Sequence, residues 1–498
     1  MFQRTALALC VTALLAACNS TLPKAAEQVR ATQNPVDRSQ RNITNFTPAL
    51  RCMDDLMFAS GTRDVTLMME ELRDATTKVP VSARDMLTSA VSDMTRRSRA
   101  VRLSVFGGDQ QNLAQLLQQA QKLSAFAAIP EHNIRGTISQ LDENVKKESS
   151  SFGVVVERAF GVRFGAETKF SVLGFDAAMV ETSTFSVVPG VVSKNTTVVA
   201  QRDNSAGDGE ARILGANAVF AFSAARAEGN AQAARNMVEL AAVELVGKLI
   251  RAPYWQCLGV ADDNPEVLRE MDDWFFSMDD SERTRFIQER LRERRYYDGA
   301  LDGRASKNFG SALAAYRRAL GLAAEGPLDA AFFRRFVTQP VPRGPLAPLP
   351  RSGAPAAATA PAAAPAQLFV QPDKTDPSLA TVRVAALAPG YLYCYAQNPE
   401  TKAIQRIYPN RFVRDPRIEA GQAISVPGKG KFKLNAAHDF ACMHAPTEVY
   451  GDLPPPLRWG DFDDVRLASF DEIRDKFAES SGQPIALLKA VTKTAGGR

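Results

Sequence analysis

Apolar positions alternate with small or charged ones at period two across residues 151–170, SFGVVVERAFGVRFGAETKF, for longer than an ordinary strand lasts. Phe152, Val154, Val156, Phe160, Val162, Phe164, Ala166 and Phe170 fall on one side. Gly153, Glu157, Ala159, Gly161, Arg163, Gly165, Glu167 and Lys169 fall on the other, with Val155 as the exception. One wholly apolar face opposite a small or charged one is the pattern of a membrane-spanning β-hairpin, which needs about 9–11 residues per strand. The chain would reverse near Glu157-Arg158-Ala159 through an odd-numbered loop, since a two-residue turn would exchange the faces. A soluble hairpin laid over a core carries the same alternation, so both readings stand on this segment alone.

Around this stretch the pattern is α/β. Residues 84–97 place Met86, Leu87, Ala90, Val91 and Met94 on one helical face, and Val101, Leu103 and Val105 then alternate as a strand. A second helix is predicted over 112–124 and a strand over 133–138. Residues 171–194 are apolar and broken by Pro189-Gly190, which predicts two strands joined there by a turn. From 195–201 the chain enters the turn-rich segment 203–209, after which Leu214, Ala216, Ala218, Phe220 and Phe222 alternate with small or polar residues as a second candidate hairpin. Val238, Ala241, Leu245 and Leu249 share one face of a helix predicted over 230–250, and Cys257 closes the unit.

The first 18 residues carry one arginine, a short apolar run and then small residues, the plan of a secretory signal and too short for a spanning helix. Export changes the reading of the cysteines. With Cys10 and Cys18 in the leader segment, Cys52, Cys257, Cys394 and Cys442 remain for an oxidising compartment. Three connectivities are possible; Cys52 with Cys257 and Cys394 with Cys442 is favoured because each pair falls inside one proposed domain. A net charge of +5 over 498 residues is small and dispersed, which argues against a nucleic-acid partner. No other stretch has about 18 uninterrupted apolar residues, so any pore must be a barrel shared among chains.

Leu15-Ala16-Ala17-Cys18 resembles the lipobox of bacterial lipoproteins, which implies diacylation of Cys18 as the lipid anchor. Asn19 in place of aspartate then implies delivery to the outer membrane. The order of lipobox, helix-bearing α/β domain, Arg135-Gly136-Thr137-Ile138 strand, and two small-residue-rich hairpins followed by a helix resembles the curli secretion-channel lipoproteins, the CsgG-like family. The resemblance covers residues 19–258 by order of elements more than by residue identity. It implies a homo-oligomeric ring whose subunits each give four strands to one outer-membrane barrel. Phe152, Val154, Val156, Phe160, Val162, Phe164, Leu214, Phe220 and Phe222 would face lipid. Gly153, Gly161, Arg163, Gly165 and Glu167 would face the pore. A constriction loop would fall within 60–82.

Further along, Tyr297-Asp298-Gly299, Leu301-Asp302-Gly303 and apolar residues at helical spacing over 278–337 resemble the small three-helix peptidoglycan-binding domain. Arg317 stands where that family has glutamine, and the segment Phe309-Gly310-Ser311 departs from its threonine-alanine pair. Tyr296, Tyr297, Asp302 and Arg304 are the glycan-binding candidates; a spacer that has lost the sugar is the other reading. Residues 338–367 are a Pro/Ala-rich linker that separates two units. The unit at 368–498 alternates as strands. Gly390-Tyr391-Leu392-Tyr393 and Tyr408-Pro409-Asn410-Arg411-Phe412 resemble a β-rich domain family of unassigned function.

Chemistry is sparse. His438, Phe440, Cys442 and His444 would share one strand face, but an intervening phenylalanine and a probable disulfide at Cys442 argue against a metal. His132, beside Pro130, is predicted to be a surface loop residue. Gly428-Lys429-Gly430-Lys431 lacks a phosphate-binding frame, and no nucleophile elbow occurs. Residues 1–18 are therefore expected to be a signal peptide and 19–45 a tether. An α/β periplasmic domain (46–258) with two transmembrane β-hairpins follows, then a small all-α three-helix domain (278–337), the linker, and a mainly β domain. The expected function is a non-enzymatic, cofactor-free export pore for a surface protein such as an adhesin or curli-like fibre subunit. It would be anchored to peptidoglycan and served by periplasmic accessory proteins. The alternative is a lipoprotein that tethers the outer membrane to peptidoglycan without a pore.

Overall fold

The computed structural model describes residues 46–79, 81–105, 129–145, 168–202, 210–215, 225–226, 230–339, 344, 365–428 and 433–490. These lie in one compact unit, Asn45–Arg498. The signal, the lipobox cysteine Cys18, the tether, the helix predicted over 112–124 and residues 151–167 of the hairpin lie outside the described residues.

The first part opens with α1 (Thr47–Ser60), which has a proline in its first turn and ends on Gly61 in the left-handed region. Strands β1 (Val65–Met69) and β2 (Arg73–Asp74), helix α2 (Ala83–Met94) and strand β3 (Val101–Val105) follow. Ser82 caps α2 by accepting from the Asp85 amide, and Met86, Leu87, Ala90, Val91 and Met94 are all buried, as their spacing predicts. Thus 60–82, where the resemblance would place a constriction loop, contains two strands. Next come β4 (His132–Val145), β5 (Thr168–Glu181), β6 (Val187–Arg202), β7 (Glu210–Gly215) and β8 (Ala225–Arg226), then α3 (Asn230–Leu249) and α4 (Tyr254–Cys257). The sheet runs β3-β1-β4-β5-β6-β7-β8 with β2 on β4. It is parallel from β3 to β4 and antiparallel from β4 onward.

The turn predicted at Pro189-Gly190 is not there. β5 and β6 reverse over 182–186, and the ladder jumps from Val180–Val187 to Ala178–Val192. Pro189 and Gly190, with φ of 76° at the glycine, occupy the bulge this leaves in β6. A bulge tolerates the missing N–H and the left-handed backbone as well as a turn does, so the same dipeptide marks either.

Helix α3 is buried on nearly every side, between β5 and β6 on one hand and α1 and α2 on the other. Gly247 allows this, because a Cβ there would fall 2.4 Å from the Tyr254 side chain. Cys52 of α1 is joined to Cys257 of α4.

Four helices follow: α5 (Pro265–Ser277), α6 (Asp280–Glu293), α7 (Lys307–Ala319) and α8 (Ala330–Thr338). Helix α5 falls in the gap between two expected domains; Asn264 caps it ahead of Pro265, a start signal present in the sequence. It packs on α8, and Trp274 lies 5.6 Å from Trp255 of α4. One hydrophobic core therefore runs from Phe46 to Val337 across the expected boundary at 258–278.

The last part contains β9 (Ala366–Pro372), β10 (Leu379–Ala386), β11 (Gly390–Gln397), β12 (Ile404–Tyr408), β13 (Arg417–Ile418), β14 (Ala423–Val426), β15 (Leu434–Asn435), β16 (Asp439–Ala445), α9 (Phe470–Ser481) and β17 (Ala486–Lys489). They form two sheets, β14-β10-β15 with β9, and β12-β11-β16-β17 with β13. Period two in β11 serves two cores at once. Leu392, Cys394 and Ala396 pack with residues of the other sheet, while Tyr391, Tyr393 and Tyr395 pack with Ile473 and Phe477 of α9. Cys394 is joined to Cys442, directly opposite on β16. Among the described residues no helix is long and apolar enough to cross a membrane.

Candidate functional site

The antiparallel run β4 to β7 positions the segments on which the pore expectation rests. Val145 pairs with Phe170, Thr168 with Arg202, and Ala200 with Glu210. The crossings 146–167 and 203–209 therefore leave the same end of the sheet, opposite the 182–186 turn. Phe152, Val154, Val156, Phe160, Val162, Phe164, Gly153, Gly161, Arg163, Gly165 and Glu167 fall within 146–167, outside the described residues, and Phe220 and Phe222, within 216–224, lie outside them too. Leu214 is in β7, opposite Thr196 of β6.

Two of the glycan-binding candidates, Tyr297 and Asp302, take part in hydrogen bonds within the helical part. Tyr297 is 2% exposed, packs edge-on against Phe309, and its hydroxyl donates to the Ala300 carbonyl at 2.8 Å. Asp302 accepts from the Arg304 amide and from Gln288 Nε2, at 2.9 and 3.1 Å. Gln288 also donates to the Arg304 carbonyl and accepts from the Gly303 amide, so one buried amide fixes the whole turn after α6. Gly299 must be glycine, since a Cβ would meet the Tyr297 ring at 2.3–2.6 Å. Tyr297 and Asp302 thus hold this turn together, with Tyr297 buried, Tyr296 half-buried, and Asp302 and Arg304 exposed at the surface. The aromatic and glycine pattern looked the same for either use. Arg317, in the glutamine position, donates to the Ala323 and Pro327 carbonyls and lies over Phe332, holding the connection from α7 to α8.

What the sequence does not reveal is a cleft of about 790 Å³ where the α/β part, α6 and the C-terminal part meet. The 338–367 linker does not hold these parts apart. Arg406 of β12 pairs with Asp64, Arg102 of β3 with Asp463, and Arg292 of α6 with Asp415. Arg458 donates to the Phe58 carbonyl, and the Tyr391 hydroxyl donates to the Asp298 carbonyl at 3.2 Å.

Eight arginines line the cleft. Arg285, Arg290, Arg292, Arg295, Arg411 and Arg414 are each paired with a carboxylate: Glu289, Glu293, Asp415, Asp452, Asp461 and Glu131 respectively. Arg63 and Arg251 have none within 4.0 Å among the described residues. Arg63 donates to the Arg414 carbonyl at 2.9 Å and lies 4.0 Å above the Tyr450 ring; the neighbouring Tyr450 and Glu448 outweigh burial and raise its pKa. Among the described residues the Arg251 guanidinium makes one hydrogen bond, to Met278 Sδ at 3.4 Å, and burial lowers its pKa. His132, expected in a surface loop, starts β4, is half-buried and lines the same cleft. Burial lowers its pKa, and its Nδ1 has no hydrogen-bond partner.

Helix α3 is tied to β6 by a buried polar group. Ser193 Oγ donates to Glu244 Oε2 at 2.5 Å, and Asn195 Nδ2 donates to the same oxygen at 2.8 Å. Burial pushes the Glu244 carboxyl up from its ordinary value, against Lys248, Ser193 and Asn195, which pull it down.

The C-terminal part carries a recognisable domain. A family model described as a domain of unknown function, DUF4384, matches residues 380–443, from within β10 to within β16. The matches include no curli-channel or peptidoglycan-binding family, and no curated protein matches the chain.

Proposed function

We propose that this chain is an outer-membrane lipoprotein that assembles into a ring and forms an export pore, with its α/β, helical and DUF4384 parts in the periplasm. The observation that carries the reading is the antiparallel run itself. β4, β5 and β6 have 14, 14 and 16 residues, roughly 45–55 Å of extended chain and far longer than the usual strand. Their crossings leave one end of the sheet together, and the first carries the alternation expected of a lipid-exposed hairpin. A charge on the lipid face costs about 2–4 kcal/mol near the bilayer middle, whereas one on the small-residue face meets water. In a ring the penalty recurs in every subunit.

Val162→Arg is therefore expected to abolish ring assembly, while Gly161→Arg assembles and changes conductance in planar bilayers. If the wild-type oligomer inserts and passes no current, the pore reading gives way to a peptidoglycan tether without a channel.

A further inference from the structure

The cleft goes beyond the pore reading, since a chain that passed no current would still contain it. Six of its arginines are neutralised by neighbours, so the two that are not stand out. Arg63 follows α1 and Arg251 follows α3. Their surroundings differ: Tyr450 and Glu448 beside the first, and Glu282, Glu289 and Arg290 beside the second. They are thus two separate cations, and among the described residues each guanidinium makes one hydrogen bond out of the five it can donate. Gly61, Leu249 and Glu293, at the C-terminal ends of α1, α3 and α6, also line the cleft. Helix C-termini carry partial negative charge and disfavour any anion set directly on them, so a carboxylate ligand would be held by the guanidinium forks themselves. Ile250, Phe412 and Val413 add apolar wall between them. The volume lies in the range of sites that enclose a ligand.

We propose that this cleft binds an extended peptide segment bearing at least two carboxylates, held by Arg63 and Arg251.

The test uses the full-length lipoprotein in detergent and a fluorescein-labelled hexapeptide of alternating alanine and glutamate, followed by anisotropy. Saturable binding is expected that weakens with added salt, fails for the peptide with glutamine in place of glutamate, and falls at least tenfold in Arg251→Gln. The double variant Arg63→Gln/Arg251→Gln is expected to abolish it. Should loss of the Tyr450 stacking unfold the double variant, Arg251→Gln alone decides, because that side chain makes one weak contact. Absence of saturable binding by folded wild type, or unchanged affinity in Arg251→Gln, overturns the proposal. So does complete displacement by inorganic phosphate at matched ionic strength, which would mark a compact-anion site.

Discussion

Arg406 and Asp64 form a doubly bonded ion pair with almost no exposure to solvent: Nη2 to Oδ1 is 2.9 Å and Nη1 to Oδ2 is 3.3 Å. The arginine belongs to β12 in the segment matched by DUF4384, and the aspartate immediately precedes β1. Asp64 Oδ1 also accepts from the Asp461 amide at 2.9 Å, and Arg406 donates to the Trp459 carbonyl at 3.1 Å. Removing one charge from a buried pair leaves the other uncompensated, at a cost of about 3–5 kcal/mol. Arg406→Met is thus expected to lower unfolding free energy by that amount in urea titrations, with the α/β and C-terminal parts losing stability together. Asp64→Asn suits the left-handed backbone at that position, and combining it with Arg406→Met is expected to recover part of the loss. A loss below about 1 kcal/mol in the single variant would show that the pair does not couple the parts.

Glu244 gives a pH dependence whose sign follows from its raised pKa. The folded state holds the proton to higher pH than the unfolded chain, whose carboxyl titrates near the ordinary value of 4.5. Its contribution is fully present below that value and is lost as pH rises through the folded pKa. The stability of wild type relative to Glu244→Gln is therefore expected to fall as pH is raised from 4.5. A difference that is flat with pH, measured by thermal unfolding, would contradict the burial argument.

Tyr297 separates a structural role from a ligand-binding one. Tyr297→Ala removes a buried ring and is expected to cost about 3–5 kcal/mol of stability. Tyr297→Phe keeps the ring and loses the bond to the Ala300 carbonyl, at about 1 kcal/mol. If the wild-type protein co-sediments with peptidoglycan sacculi, Tyr297→Phe is expected to co-sediment equally well. A selective loss of sedimentation in this folded variant would return the tyrosine to a sugar site.

Local periodicity made much of the fold legible. The buried face of α2, the two-sided burial of β11 and the capping of α9 by Ser469 all follow from residues a few positions apart. Pro189-Gly190 misled because a bulge and a turn place the same demands on the backbone. The Asn264-Pro265 start of α5 is visible in the sequence, although the helix lies in the stretch left between two expected domains. The cleft was illegible for a different reason. Its residues come from six separate stretches of chain, and arginines that neutralise distant carboxylates look, one at a time, like any solvated surface. Only their pairing distinguishes Arg63 and Arg251 from the rest.

The Arg406–Asp64 pair also sets an order of events during biosynthesis. The two residues are 342 positions apart, and a ribosome adding roughly 5–20 residues per second needs roughly 17–70 s to pass from one to the other. Throughout that interval the nascent α/β part holds a carboxylate whose counter-ion has not been made. The packing of the C-terminal part over Asp64 therefore waits for the segment that carries Arg406, and a product truncated before that segment would leave this docking face exposed to proteases.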